Sequence, residues 1–343
     1  MARLLDRRMT LWQRLKRPPW RTLLLLGAIL GVFGLGYLCW SPGERVTDGR
    51  HDLRRNGMWL QHGWMGDDDW FERNGRDREN FRSEGKIGEL REKLTRHGIR
   101  DVFPHLCPCL SDGSIAGVDD GQTERLLAGL DGFRVMPWIG GVRDESADPG
   151  SPEWRAKFVE SSVGMIARHP RLAGLHVNIE PMPDGDPSYL LLLDELRKAM
   201  PPGKILSVAA YPPPTRWLPF PDVHWSEPYF REVAKRVDQV VPMLYDTGLT
   251  WQKPYRKLMA DWTGEVLAWS EGKEVLLGVP AYDDAGTGYH DPKVENLSNA
   301  LSGIHAALED GVPSHYAGVS VYSDWEMGAE DWEALEREFN APP

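Results

Sequence analysis

Leu172–Asp186 reads LAGLHVNIEPMPDGD, and the order of residue types in it sets the architecture. Leu172, Leu175, Val177 and Ile179 make a short apolar run bounded by turn signals, the mark of a strand buried in a parallel sheet. Pro181 has no N–H to give to a sheet ladder, so the strand ends near Glu180. A loop rich in Pro, Gly and Asp follows, and SYLLLLDELRKAM, from Ser188, has the apolar spacing of a helix. A carboxylate at the C-terminal end of a parallel strand is where α/β barrels place reactive groups.

Working outward, the same alternation recurs. Short apolar runs occur at Met58–Gln61, Arg100–His105, Phe133–Ile139, Leu172–Ile179, Ile205–Ala210, Gln239–Tyr245, Val275–Val279 and Gly318–Tyr322. Helical stretches separate them, over Ile87–His97, Gln122–Leu130, Pro152–Arg168, from about Ser188, and near Pro228–Val237, Tyr255–Ser270 and Val294–Glu309. Glu330–Phe339 closes the chain. Eight strand–helix units predict an α/β protein with a (β/α)8 TIM barrel over 57–343. A doubly wound sheet would want a Gly-rich phosphate loop after its first strand, and Gly57–Gly66 has none.

The N-terminus is of another kind. Residues 1–21 carry seven Lys/Arg against one Asp, and Thr22–Trp40 carries no charge. Nineteen uncharged residues can just span a bilayer as a helix, and the basic flank stays in the cytoplasm. The expected layout is a cytoplasmic tail at 1–21, a transmembrane signal anchor at 22–40 and a polar linker at 41–56. The barrel then lies outside the cell membrane of a single-pass protein. A cleaved signal peptide would want a small-x-small site, which is not visible, and Leu38 before Cys39 does not make a lipobox.

The whole chain has net charge −11, and removing the +6 of the first 21 residues leaves −17. So acidic a domain excludes nucleic acid and anionic lipid headgroups as its partners; the bilayer would be met only through 22–40. Cys107 and Cys109 stand in a CPC run with no His/Cys cluster nearby and are read as structural, either as thiols or as a strained disulfide. Neither a metal nor another cofactor is expected. The acidic loops Asp67–Asp69 and Asp283-Asp284 are read as solvated.

If the barrel closes, its C-terminal mouth gathers His62, Trp64, His105, Trp138, Asn178, Glu180, Tyr211, Tyr245, Asp246, Tyr282, Asp283, Tyr322, Asp324, Trp325 and Glu326. Aromatic faces and carboxylates with almost no Lys or Arg suit a neutral carbohydrate and not a phosphate. Trp59, His62, Trp64, Trp138, Tyr211, Tyr282, Tyr322, Trp325 and Glu326 are the candidate sugar-binding residues. The chain has 15 Trp, and any one of them taken alone is more readily a packing residue.

The order of motifs resembles family 18 of the glycoside hydrolases, the chitinases and related endo-β-N-acetylglucosaminidases, over roughly 57–340. The family's fourth strand closes in D-x-E with the Glu as proton donor; here the stretch is His176-Val177-Asn178-Ile179-Glu180. Its M-x-Y-D is Met243-Leu244-Tyr245-Asp246, and its G-x-P-x-Y is Gly278-Val279-Pro280-Ala281-Tyr282. Tyr322 stands where an aromatic, usually Trp, floors the sugar site. Two positions depart from the pattern, His176 and Asn178 both replacing Asp. The N-x-E form is similar to that of family 85.

The resemblance implies a glycoside hydrolase for a β-linked, N-acetylhexosamine-containing glycan, with Glu180 as general acid and base. Asn178, Tyr245 and Asp246 complete the catalytic set. Either they hold the substrate's N-acetyl carbonyl while it attacks, or Asp246 or Glu326 acts as a second carboxylate. The alternative is an inactive glycan-binding or scaffolding barrel at the envelope. His176 is expected as a hydrogen-bonded core histidine, and Asp186 close to a helix N-cap.

Overall fold

The computed structural model describes residues 20–340 except 219, without the side chains of 20–22, 79 and 80. The chain divides into two compact units, Met1–Ser41 and Pro42–Pro343. In the first, α1 (Trp20–Cys39) is one helix whose Leu23, Leu30, Phe33 and Leu38 are exposed. Among the described residues no helix is long and apolar enough to cross a membrane; the side chains of α1 are described only from Leu23. The expected basic tail lies outside the described residues, save the backbone at 20 and 21.

The second unit is built on parallel strands alone. In order they are β1 (Asn56–Leu60), β2 (Ile99–Pro104), β3 (Arg134–Val135), β4 (Trp138–Val142), β5 (Gly174–Glu180), β6 (Ile205–Ala210), β7 (Gln239–Pro242), β8 (Glu274–Pro280) and β9 (Tyr316–Tyr322). The sheet runs β3-β2-β1-β9-β8-β7-β6-β5-β4. Its two ends are the halves of one stave, split at Met136-Pro137. The ring closes there: Met136 N donates to Val102 O at 2.9 Å, Leu106 N donates to Trp138 O at 2.9 Å, and His105 bridges Trp138. Nine strands thus make the eight expected staves, a curled sheet of TIM-barrel type.

Helices cover the outside: α3 (Glu84–Arg96), α4 (Asp120–Gly129), α5 (Pro152–Arg168), α6 (Pro187–Ala199), α7 (Glu227–Arg236), α8 (Gln252–Trp269), α9 (Leu297–Leu308) and α10 (Ala329–Glu338). Their starts are written in the sequence. Ser83, Asp119, Ser151, Asp186 and Asn296 each accept a backbone N–H of the first turn, and Pro152 and Pro187 occupy the first turn where no N–H is missed. Asp186 is the N-cap foreseen for α6, which buries Tyr189, Leu192, Leu193 and Leu196 against the sheet.

Two expectations need correction. The stretch 41–56 is not a free linker: Val46, His51 and Asp52 are buried, and Glu44 N donates to Ser302 O at 2.9 Å. Between β1 and α3 the chain inserts an unforeseen helix, α2 (Asp68–Asn74), and a 3-10 turn (Arg78–Phe81).

Alternate residues of each stave face the interior. Trp59, Phe103, Met136, Val241 and Leu276 pack there as a small apolar cluster. Beside it runs a chain of polar groups. Trp59 Nε1, which can only donate, gives its hydrogen to His176 Nε2 at 3.1 Å. Nδ1 must then carry the imidazole proton, and it donates to Ser207 Oγ at 2.9 Å. The Ser207 hydroxyl donates to Gln239 Oε1 at 2.7 Å, and Gln239 Nε2 donates to Asp101 Oδ2 and Glu274 Oε1 at 2.6 and 2.7 Å. Arg100 and Arg134 neutralise those two carboxylates.

His176 is therefore the core histidine expected, and burial lowers its pKa to about 3. Its folded value lies below its unfolded value of ~6.5, so the stability it contributes is full above that value and is lost as pH falls toward 3. The slope is one proton, ~1.4 kcal/mol per pH unit. His176→Leu should cost about 1–3 kcal/mol at pH 7 by orphaning the Trp59 N–H. In urea titrations the gap to wild type should narrow below pH 6.5, close within about one to two pH units and reverse by pH 4; a constant gap would contradict the neutral, buried imidazole.

Candidate active site

Glu180 is the last residue of β5 and stays accessible from a cavity above the sheet, though protein surrounds it on all other sides. Asn178, two residues earlier and so on the same inward face, donates from Nδ2 to Glu180 Oε1 at 2.5 Å. Tyr211, just past β6, also acts on the carboxyl. Burial raises the Glu180 pKa and the charge of Asp246 adds to the rise, while the Asn178 hydrogen bond and Tyr211 oppose it; the sum is upward. The arrangement suits a carboxylic acid that keeps its proton and can give it up. Gly140 makes room for it: at φ +131° a Cβ would stand 1.8 Å from Asn178 O.

The cavity measures about 1100 Å³. It opens from Glu180 toward β1, β2 and β4. His62, His105, Trp138, Asn178, Trp325 and Glu326 line it, and α2 with the turn after it supplies a far wall of Trp70, Phe71, Arg76 and Phe81. Four rings form a continuous column, with centroid separations of 4.0 Å for Trp70–His62, 3.9 Å for His62–His105 and 3.8 Å for His105–Trp138. Asp67 orients His62 by accepting from Nδ1 at 2.5 Å. Burial, aided by the neighbouring His62, drives the His105 pKa well down, so this ring is neutral. A flat wall of rings beside a carboxylic acid fits the C–H faces of a sugar.

On the other side of Glu180 lies a tyrosine cluster. Tyr245 stacks on Tyr322 at 5.6 Å and meets Tyr282 edge-on at 5.8 Å. The Tyr282 hydroxyl donates to Asp246 Oδ1, and Asp246 sits in the left-handed region at φ +61°. Burial holds the hydroxyls of Tyr211, Tyr245, Tyr282 and Tyr322 protonated, their pKa values all raised.

Behind Asp246 is a pair that no local sequence pattern singles out. His290, with a fully buried side chain, has Nδ1 at 3.3 Å from Asp246 Oδ1 and 3.9 Å from Glu295 Oε2. Glu295 accepts from Thr247 N and Gly248 N, both at 2.9 Å.

The candidate residues therefore separate. Asn178, Glu180, His62, Trp138, Trp325 and Glu326 share the cavity, while Tyr211, Tyr245, Asp246, Tyr282 and Tyr322 flank the acid outside the cavity lining. Trp59 and Trp64 do not belong to a sugar site. Trp59 is 1% exposed because it faces the barrel interior one step below the strand end, and Trp64 is 6% exposed against Phe81 in the core. Cys107 and Cys109 are both free; their sulfurs point to different carbonyls, of Trp138 and Ser146. Among the described residues no group of three or more His, Cys, Asp or Glu could hold a metal ion.

The family described as glycosyl hydrolases family 18 matches residues 122–337. Solved structures share the fold. The spore cortex-lytic enzyme SleL of Bacillus cereus superposes with a TM-score of 0.54 at 12% identity, over 83% of this chain and 75% of its own. A chitinase from Chromobacterium violaceum does so with a TM-score of 0.54 at 14% identity, over 82% and 98%. A search of curated sequences gives no match.

Proposed function

Since the chain belongs to family 18 of the glycosyl hydrolases, we propose that this glycoside hydrolase cuts a β-linked glycan containing N-acetylhexosamine. Glu180 serves as its general acid and base. The observation that carries the reading is the Asn178–Glu180 pair at the floor of the aromatic cavity. In the first step Glu180 gives its proton to the glycosidic oxygen while the bond from that oxygen to the anomeric carbon breaks. The acetamido carbonyl oxygen of the same sugar forms the new bond to the anomeric carbon, and the positive charge passes to the acetamido group. Asp246 and the Tyr245 hydroxyl hold and balance that group, and the Asn178 amide supports the Glu180 carboxylate as it forms. Water then attacks the anomeric carbon, gives its proton back to Glu180 and frees the carbonyl.

The pH dependence follows. The acid form must be present, so turnover is full below the raised pKa of Glu180 and is lost as pH rises through it. The Asn178 bond favours the ionised form, so Asn178→Ala should move the alkaline limb of kcat/KM upward. The charge of Asp246 favours the protonated form, so Asp246→Asn should move it downward. Glu180→Gln should lose about 10³-fold or more of turnover on β-linked N-acetylglucosamine polymers or peptidoglycan and still bind them. Equal release of reducing ends by both proteins would contradict the assignment of the acid.

We also propose that the chain is anchored in the cell membrane through 22–40, with the barrel extracytoplasmic. The support is the uncharged run from Thr22 to Trp40, its basic flank and the exposed apolar side of α1. The protein should resist carbonate extraction and lose its barrel to protease added outside intact cells. Protection from that protease would overturn the orientation.

A further inference from the structure

The group behind Asp246 is built with more care than a turn requires. Asp246 follows β7 in a left-handed conformation that a non-glycine residue adopts at a cost of order 1 kcal/mol. Two neighbours stabilise it. Glu295, just before α9 and completely buried, uses both carboxylate oxygens on the backbone N–H groups of Thr247 and Gly248. His290, in the loop after β8, lies between the two carboxylates with its ring stacked on Tyr282 at 4.2 Å and 22°. The His290 side chain is fully buried, whereas Asp246 keeps 41% of its side-chain surface accessible.

The chemistry of that sandwich is one-sided. An imidazole Nδ1 without a proton would aim its lone pair at two carboxylate groups, so Nδ1 carries the hydrogen. The nearest receiver is Asp246 Oδ1. The contact with Asp246 is an ion pair: Nδ1 lies 3.3 Å from Oδ1 but off the line of a good hydrogen bond, and Nε2 has no hydrogen-bond partner among the described residues. Two buried or half-buried negative charges beside each other would repel, and a positive ring between them removes that cost. Burial works against the charged imidazole, but the close contact with Asp246 and the charges of Glu295 and Asp246 outweigh it, and its pKa lies above the ordinary value. The other titratable groups facing this cluster are Tyr282 on the β8 side, Tyr255 of α8 next to Glu295, and Glu180, Tyr211, Tyr245 and Tyr322, which feel Asp246 across the site.

We propose that His290 is a positioning residue of the reaction: its ring pairs through Nδ1 with Asp246 and fixes that carboxylate beside the reacting sugar, while Glu295 clamps the turn that follows. The inference rests on reading Asp246 as a group that meets the substrate. His290 itself touches no substrate.

The test is a double-mutant cycle on the full chain, with a readout that does not need turnover. His290→Leu should lower kcat on the order of 10- to 100-fold, with a smaller change in KM, and His290→Gln, which keeps a donor, should recover part of the loss. In the Asp246→Asn background the same substitution should change kcat by less than about twofold, because the carboxylate it acts through is gone. Losses that multiply, or a His290→Leu enzyme with wild-type kcat, would overturn the proposal. Independently, the imidazole NMR signal that disappears in His290→Gln should titrate above the ordinary ~6.5 in wild type and shift down in Asp246→Asn. A titration indifferent to Asp246→Asn would also overturn it. A chain that turns over no glycan yet shows the titration shift would sink the hydrolytic reading and support the hold of His290 on Asp246.

Discussion

A polar atom sealed inside a closed parallel sheet has no water to fall back on, so it must be paired by another atom of the same interior. An orphan costs about 1–3 kcal/mol, and a whole domain is stable by only about 5–15 kcal/mol. The barrel meets most of this demand with one directional chain from Trp59 through His176, Ser207 and Gln239 to the Asp101–Glu274 carboxylates and their arginines, while Ser320 Oγ of β9 has no partner among the described residues. Each link fixes the next. Trp59 can only donate, so the tautomer of His176 is settled; a neutral His176 then adds no charge beneath Asn178 and Glu180. The space beneath the acid is filled by a ring whose burial disfavours charge.

With the charge below removed, the acid at the top is governed by its near neighbours. Burial raises the Glu180 pKa, Asp246 reinforces the rise, and Asn178 and Tyr211 restrain it. The Asn in place of Asp matters here. An amide donates a hydrogen to the carboxylate that forms when Glu180 gives up its proton, whereas a second ionised carboxyl would repel it. The site thus separates its chemical groups in space: the carboxyl of Glu180, the carboxylate of Asp246 backed by His290 and Glu295, and the column of rings from Trp70 to Trp138.

The fold was largely legible because strands buried on both faces are written as short apolar runs, and Ser, Asp and Pro mark the helix starts. Leu172–Glu180 and its helix lie within a few residues of where they were expected. Asn178, Glu180, Tyr245 and Asp246 could be placed at the mouth because they stand at strand ends, and the resemblance to family 18 supplied their roles. Trp59 and Trp64 were misplaced for a reason of geometry: a single Trp reads the same whether its step of the pleat leads into the cavity or into the core. The α2 wall was hidden in an acidic stretch read as solvated, although Asp67–Asp69 at its start, Trp70-Phe71 and a left-handed Gly75 at its end are a helix signature. His290 and Glu295 left no trace, since their partners come from a loop more than 40 residues earlier and no local pattern records it.

The central claim is that Glu180 protonates the leaving oxygen while the acetamido group of the substrate attacks. Its most direct test is the configuration of the first product. Early-time proton NMR of the full chain acting on a β-linked N-acetylglucosamine oligosaccharide should show the β-anomer appearing first, with α following only by mutarotation. An α-anomer formed first would require direct attack by water, and would contradict the account.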